Sequence, residues 1–223
     1  MESKTKNKKS RQQLEAMVRM AFNGMGLAAG DDAVAELKEG WFNVAYNVKL
    51  ADGRESILKI APPPSAEVLA YEKNIMETEV ASMRLVRSNP AIPVPQVYFF
   101  DQTRGICDSD YFFMEKLPGD NLVHVEDSLP PETLAKIEFK MGEIVREINA
   151  FEGSSYFGYP GNPALRGETW REAFLKIIDA ALADGSRRNV EYGCGYDEIR
   201  SLVSRHSTSL DSIAKPCLVH WDS

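Results

Sequence analysis

A chain of 223 residues, 43% of them hydrophobic, has the apolar material for one large domain or two small lobes, which excludes general disorder. Its net charge of −7 argues against broad nucleic-acid binding, which needs a basic face, and fits solubility. Cys107, Cys194 and Cys217 are far apart and form neither a C-x-x-C pair nor a zinc signature with the three histidines, so a reduced, cytoplasmic chain is expected, with no bilayer-spanning stretch.

The start, MESKTKNKKSRQQ, is basic but lacks the apolar run of a secretory signal. Lys4, Lys6, Lys8 and Lys9 have no aromatics between them, so a solvated, disordered tail is expected rather than a nucleic-acid patch. Residues 10–22 read as an amphipathic helix, with Leu14, Met17, Val18 and Phe22 on one side. The period then changes, and strands are expected over 34–38, 44–50 and 56–60. Asp52-Gly53 marks a tight turn between the last two, and Pro62, Pro63 and Pro64 end the third.

One long helix is expected over 65–87, with Leu69, Met76, Val80 and Met83 along a face and Glu72 and Glu79 on or beside it. Prolines 90, 93 and 95 end it, and strands over 97–100 and 111–114 follow. The second half reads as helices over 132–150, 170–184 and 196–212, separated by Gly- and Tyr-rich loops. A strand-like Cys217-Leu218-Val219 closes the chain. The expected fold class is α+β: a five-stranded antiparallel lobe with one long helix, then a helical lobe. The expected divisions are an N-terminal tail and helix (1–30), a β-rich lobe (31–117) and an α-rich lobe (118–223).

Lys59 carries the first chemical signal. A lysine inside an apolar strand often snorkels at a sheet edge. Glu79, on a helix face otherwise suited to a core, needs a cationic partner, because an unpaired buried charge is costly. Lys59 is the natural one, and Glu72 is a weaker rival. A strand lysine paired with a glutamate on the next helix positions nucleotide phosphates in protein kinases. Gly40 precedes the second strand in EGWFNVAY, where a phosphate-covering hairpin would need close backbone approach. Glu115, Lys116 and Leu117 leave the fifth strand where a connecting segment could offer backbone groups to a base. Asp222, in His220-Trp221-Asp222, is a candidate hydroxyl-positioning carboxylate.

Together these pieces resemble the aminoglycoside phosphotransferase family, small-molecule kinases with a protein-kinase-like fold. The resemblance rests on G-x-x-N-x-x-Y at residues 40–46, I-L-K-I at 57–60 and T-E-x-x-x-M at 78–83. Pro93-Val94-Pro95, Met114-Glu115-Lys116-Leu117-Pro118-Gly119 and Leu218-Val219-His220-x-Asp222 continue it in the family's order. Trp221 stands where the family usually has glycine. The resemblance implies that Gly40, Trp41, Phe42 and Asn43 cover the phosphates of ATP and that Lys59, held by Glu79, contacts them. It implies that Met114, Glu115, Lys116 and Leu117 border the adenine and that Asp222 positions a small-molecule hydroxyl. The expected partners are ATP and a hydroxyl substrate (aminoglycoside, amino alcohol or sugar), with neither nucleic acid nor membrane. The loop asparagine expected at position 227 and the later metal-binding aspartate fall after Ser223, so no Mg²⁺ ligand is assigned within the chain. The resemblance therefore implies a kinase cut inside its catalytic loop and inactive at this length. A nucleotide-binding pseudokinase and an interaction scaffold are the alternative readings.

Overall fold

The computed structural model of the chain describes residues 5–38, 40–152 and 154–220. The chain divides into two compact units, Met1–Glu67 with Glu79–Leu129, and Val68–Thr78 with Pro130–Ser223.

The first unit opens on helix α1 (Arg11–Ala21). Ser10 and Gln13 form a reciprocal capping box at its start, which satisfies donors the helix leaves unpaired. Strands β1 (Val34–Leu37), β2 (Val44–Lys49) and β3 (Glu55–Ile60) follow, then helix α2 (Ile75–Val86), β4 (Val97–Asp101) and β5 (Tyr111–Glu115). The five strands form one sheet in the order β1-β2-β3-β5-β4, antiparallel at every pairing.

Side chains alternate across this sheet, and the two faces differ. On one face Val44, Val48, Leu58, Ile60, Tyr111 and Phe113 are at 0% exposure. Leu14, Met17 and Val18 of α1 join them in a single core cluster. Full burial of one such side chain stabilises by about 1.5–3 kcal/mol, so α1 is a structural part of the sheet. Phe22, just past α1, packs edge-on against Phe113 with ring centroids 5.2 Å apart. The other face carries Ala45, Asn47, Ile57, Lys59 and Met114, all half-buried, together with a fully buried Phe112.

Residues 5–9 of the basic N-terminal segment do not follow the expectation of a disordered tail; Lys4 lies outside the described residues. Asn7 is 8% exposed and donates through Nδ2 to Ser109 Oγ (2.8 Å) and to the Ala61 carbonyl (3.2 Å). Lys8 pairs with Glu36 at 2.9 Å, and Lys9 with Asp108 at 2.5 Å. Composition could not foresee this, because each lysine meets a carboxylate distant in sequence.

The long helix expected over 65–87 is also corrected. Leu69 is extended, residues 70–72 form a single 3-10 turn, and α2 starts only at Ile75. Asn74 sits in the left-handed region (φ 52°), which interrupts the helix. Two interactions hold the break: Glu72 accepts from Leu69 N–H at 2.6 Å, and Asn74 Nδ2 donates to the Gly161 carbonyl at 3.0 Å.

A short helix, α3 (Leu122–Val125), lies near the end of the first unit. The second unit holds α4 (Pro131–Asn149), a two-strand ribbon of β6 (Phe157–Gly158) and β7 (Arg166–Gly167), α5 (Trp170–Arg187) and α6 (Tyr196–His206). Thr169 caps α5, accepting from Glu172 N–H. Buried Asp184 on α5 accepts from Ala70 N–H at 2.7 Å, while Asn162 donates to the Ala70 carbonyl at 2.7 Å, so residue 70 is fixed through both backbone groups. Helix α6 is shorter than expected, because its last stretch tightens into a 3-10 helix, Ser207–Ser212. The expected terminal strand is a single bridge, Glu152 to Cys217, closed by Leu218 N–H to the Phe151 carbonyl at 3.0 Å. Helix α4 has no buried residue, and Phe139 and Met141 on it are 72% and 51% exposed. No described helix is long and apolar enough to cross a membrane.

Candidate functional site

Strand parity decides where Lys59 goes. In β3, Leu58 and Ile60 point into the core sealed by α1, so Lys59 must emerge on the half-open face. There its Nζ meets Glu79 Oε1 of α2 at 2.5 Å. The side chains are 28% and 29% exposed, so the pair is neither solvated nor sealed. The Lys59 ammonium also lies 5.8 Å from the ring centroid of Phe112, its cross-strand neighbour on β5. Glu72, the rival partner, is occupied as the cap of residue 69.

The loop carrying Gly40, Trp41, Phe42 and Asn43 joins β1 to β2 at the end of the sheet where β3 finishes, since Val44 pairs with Ile60. Trp41 is 87% exposed. A Cβ built on Gly40 would meet only Asn43 O at 3.6 Å and Lys6 Nζ at 3.9 Å, so the loop's own conformation does not demand glycine there. Two carbonyls of this loop are held by the N-terminal segment: Lys6 Nζ donates to Asn43 O (2.8 Å), and Thr5 Oγ1 to Trp41 O (3.1 Å). The Asn43 side-chain oxygen is buried without a partner, as is that of Asn47 on the half-open face.

At the far end of β5 the Met114 carbonyl accepts from Ser56 Oγ at 2.7 Å, and Ser56 is at 0% exposure. The Glu115 carboxylate accepts from Gln96 N–H (3.1 Å), and Lys116 pairs with Glu55 (2.8 Å). Leu117 is 42% exposed. The Glu115 and Lys116 side chains are thus engaged by Gln96 and Glu55. Asp222 lies outside the described residues.

Residues that motif reading missed are those that share the face with Lys59. Ala45, Asn47, Ile57 and Phe112 could have been found by parity alone, since each sits opposite or two positions from Lys59 or Met114 in register. Ser56 and Lys6 had no such signal. Among the described residues no three His, Cys, Asp or Glu side chains gather into a metal-binding group. The hydrogen bond from Lys9 holds the Asp108 carboxyl below its ordinary range, and burial pushes the Tyr46 hydroxyl up.

A family model described as the phosphotransferase enzyme family matches residues 33–222. The chain belongs to this family. Among solved structures, the chain is similar to a protein assigned as a fructosamine-3-kinase from Thermobifida fusca, with a TM-score of 0.60 and 21% identity over 96% of this chain and 67% of that one. It is also similar to APH(2")-IIia in a complex with GDP and kanamycin, with a TM-score of 0.52 and 11% identity over 91% of this chain and 60% of that one. These likenesses show a kinase-like α+β fold. In sequence, it is 31% identical over 161 residues to a subtelomeric hrmA-associated cluster protein of Aspergillus fumigatus, 72% of this chain and 30% of that protein. The chain therefore spans under a third of that relative's length.

Proposed function

We propose that the half-open sheet face binds ATP, and that the chain forms the nucleotide-binding part of a cytoplasmic enzyme that phosphorylates a small-molecule hydroxyl. One observation carries the reading: Lys59 and Glu79 pair at 2.5 Å on the sheet face that α1 leaves uncovered. A cation held by a helix carboxylate is pre-aimed, so little is lost in orienting it toward phosphate.

The residues present suit the nucleotide. Ala45, Ile57 and Met114 offer an apolar surface to the adenine, and the backbone of Lys116 and Leu117 offers it hydrogen-bonding groups. The buried, unpartnered oxygens of Asn43 and Asn47 suit ligand hydroxyl or amino donors. Gly40, Trp41, Phe42 and Asn43 form the loop over the phosphates. ATP, when bound, supplies the phosphoryl group. Asp222 is assigned to orient the acceptor hydroxyl. Among the described residues no group of three His, Cys, Asp or Glu side chains is placed to hold Mg²⁺.

The experiment is calorimetric titration of the 223-residue chain with ATP and GTP, followed by a γ-phosphate transfer assay against fructosamines, kanamycin, amino alcohols and sugars. Nucleotide binding that is lost in Lys59→Met is expected. Unchanged binding in Lys59→Met would reject the site. Binding without transfer to any acceptor would favour the pseudokinase reading.

A further inference from the structure

We propose that residues 5–9 form a strap that sets the loop over residues 40–43 in its phosphate-binding shape, with Lys6 as its positioning residue. The inference rests on the nucleotide reading above and adds a part of the chain outside the matched family region, residues 33–222.

The strap is anchored before it reaches the loop. Lys9 has a side chain only 7% exposed and donates from Nζ to Asp108 Oδ1 and Asn7 Oδ1, both at 2.5 Å. Asn7 in turn is fixed to Ser109 and Ala61, and Lys8 to Glu36. Behind them Ser10 opens α1, which is locked into the core. Residues 5 and 6 therefore hang from a fixed base and deliver two donors to the loop. Thr5 Oγ1 takes the Trp41 carbonyl and Lys6 Nζ the Asn43 carbonyl.

The peptide unit is planar and trans, so a carbonyl and the following N–H point opposite ways. Holding the Trp41 carbonyl toward the strap turns the Phe42 N–H away from it. A loop whose backbone N–H groups all point one way is an anion cradle. The loop's own sequence does not impose this: Gly40 is the only glycine over residues 40–43, and a G-x-G-x-x-G pattern is absent. The strap supplies from outside the order that the loop lacks within. Lys6 acts through the Asn43 carbonyl, so it is a positioning residue and not a catalytic one.

The test compares the full 223-residue chain with Lys6→Met and Lys6→Arg. Two readouts are taken: amide exchange of residues 40–43 without ligand, and affinities for ATP and adenosine. Lys6→Met is expected to speed exchange in the loop and to weaken ATP binding about tenfold, the scale of one charge-assisted hydrogen bond. Adenosine affinity should hold, because adenosine has no phosphate, and Lys6→Arg should restore ATP binding. Unchanged loop exchange overturns the strap. Faster exchange with unchanged ATP affinity, or equal losses for ATP and adenosine, overturns the phosphate-positioning role. If the wild-type chain binds neither nucleotide nor adenosine, the nucleotide reading itself fails and Lys6 loses that role. Loop exchange then still decides whether the strap exists.

Discussion

Replacing Glu79 by Gln separates a functional ion pair from a structural one. Two unit charges about 4 Å apart attract by about 4 kcal/mol at an effective dielectric near 20 and about 1 kcal/mol in water. The Lys59–Glu79 pair lies between these limits, with side chains 28% and 29% exposed. Desolvation and the cost of holding two long side chains oppose the attraction. The net stability change in Glu79→Gln should therefore be small, about 0–1 kcal/mol. The effect on ligand is expected to be larger. Glutamine keeps an acceptor but not the charge, so the ammonium is held less firmly, and a misaimed charged hydrogen bond costs about 1.5–3 kcal/mol, about 10- to 100-fold in affinity. Urea unfolding measures the first quantity and calorimetric ATP titration the second. A stability loss above about 3 kcal/mol with intact ATP affinity would refute the reasoning, because it would show a buried pair serving the fold alone.

Other consequences can be checked separately. Met17→Ala, at a position with 0% exposure under the sheet, should cost about 2–5 kcal/mol in urea unfolding, whereas a peripheral helix would give almost none. Ser56→Ala leaves the Met114 carbonyl without its donor and should cost about 1–3 kcal/mol, with ATP affinity falling more than inorganic triphosphate affinity if Met114 borders the base. Asp108 is held below its ordinary pKa by Lys9, so its contribution is full above the unfolded carboxylate value and is lost as pH falls through the folded one. Amide exchange of residues 5–9, corrected for intrinsic rates, should therefore rise below about pH 4, and Asp108→Asn should abolish that dependence.

Strands β2 and β3 were legible because burial on one face only writes a period of two into the sequence, whereas β5 is an apolar run buried on both faces at Phe112 and Phe113. The pairing of Lys59 with Glu79 was legible because a carboxylate on an apolar helix face demands a partner. What was not legible depended on contacts between segments distant in sequence. The helix break at Asn74 is held by the Gly161 carbonyl, 87 residues away, and periodicity around residue 70 gives no hint of it. The N-terminal lysines read as solvated because their partners, Glu36, Asp108 and the Asn43 carbonyl, lie far along the chain. Ser56 looked like a plain strand residue, and only the register opposite β5 gives its hydroxyl a task.

The two faces of the sheet tie these observations together. A five-stranded sheet must bury at least one face, and α1 covers one through Leu14, Met17 and Val18. Once that face is sealed, every odd-numbered residue of β2 and β3 from Ala45 to Lys59 lies on the other. The position of Lys59 is therefore set by a helix that does not touch it. A one-residue slip in β3 would move its charge into the apolar core and expose Leu58 and Ile60 instead. That penalty protects the register, and the register fixes the lysine against Glu79. The segment leading into α1 reaches in turn to the loop over residues 40–43. Residues 5–21 thus bear on the candidate site twice: the helix keeps Lys59 out of the core, and Thr5 and Lys6 hold carbonyls of the loop beside it.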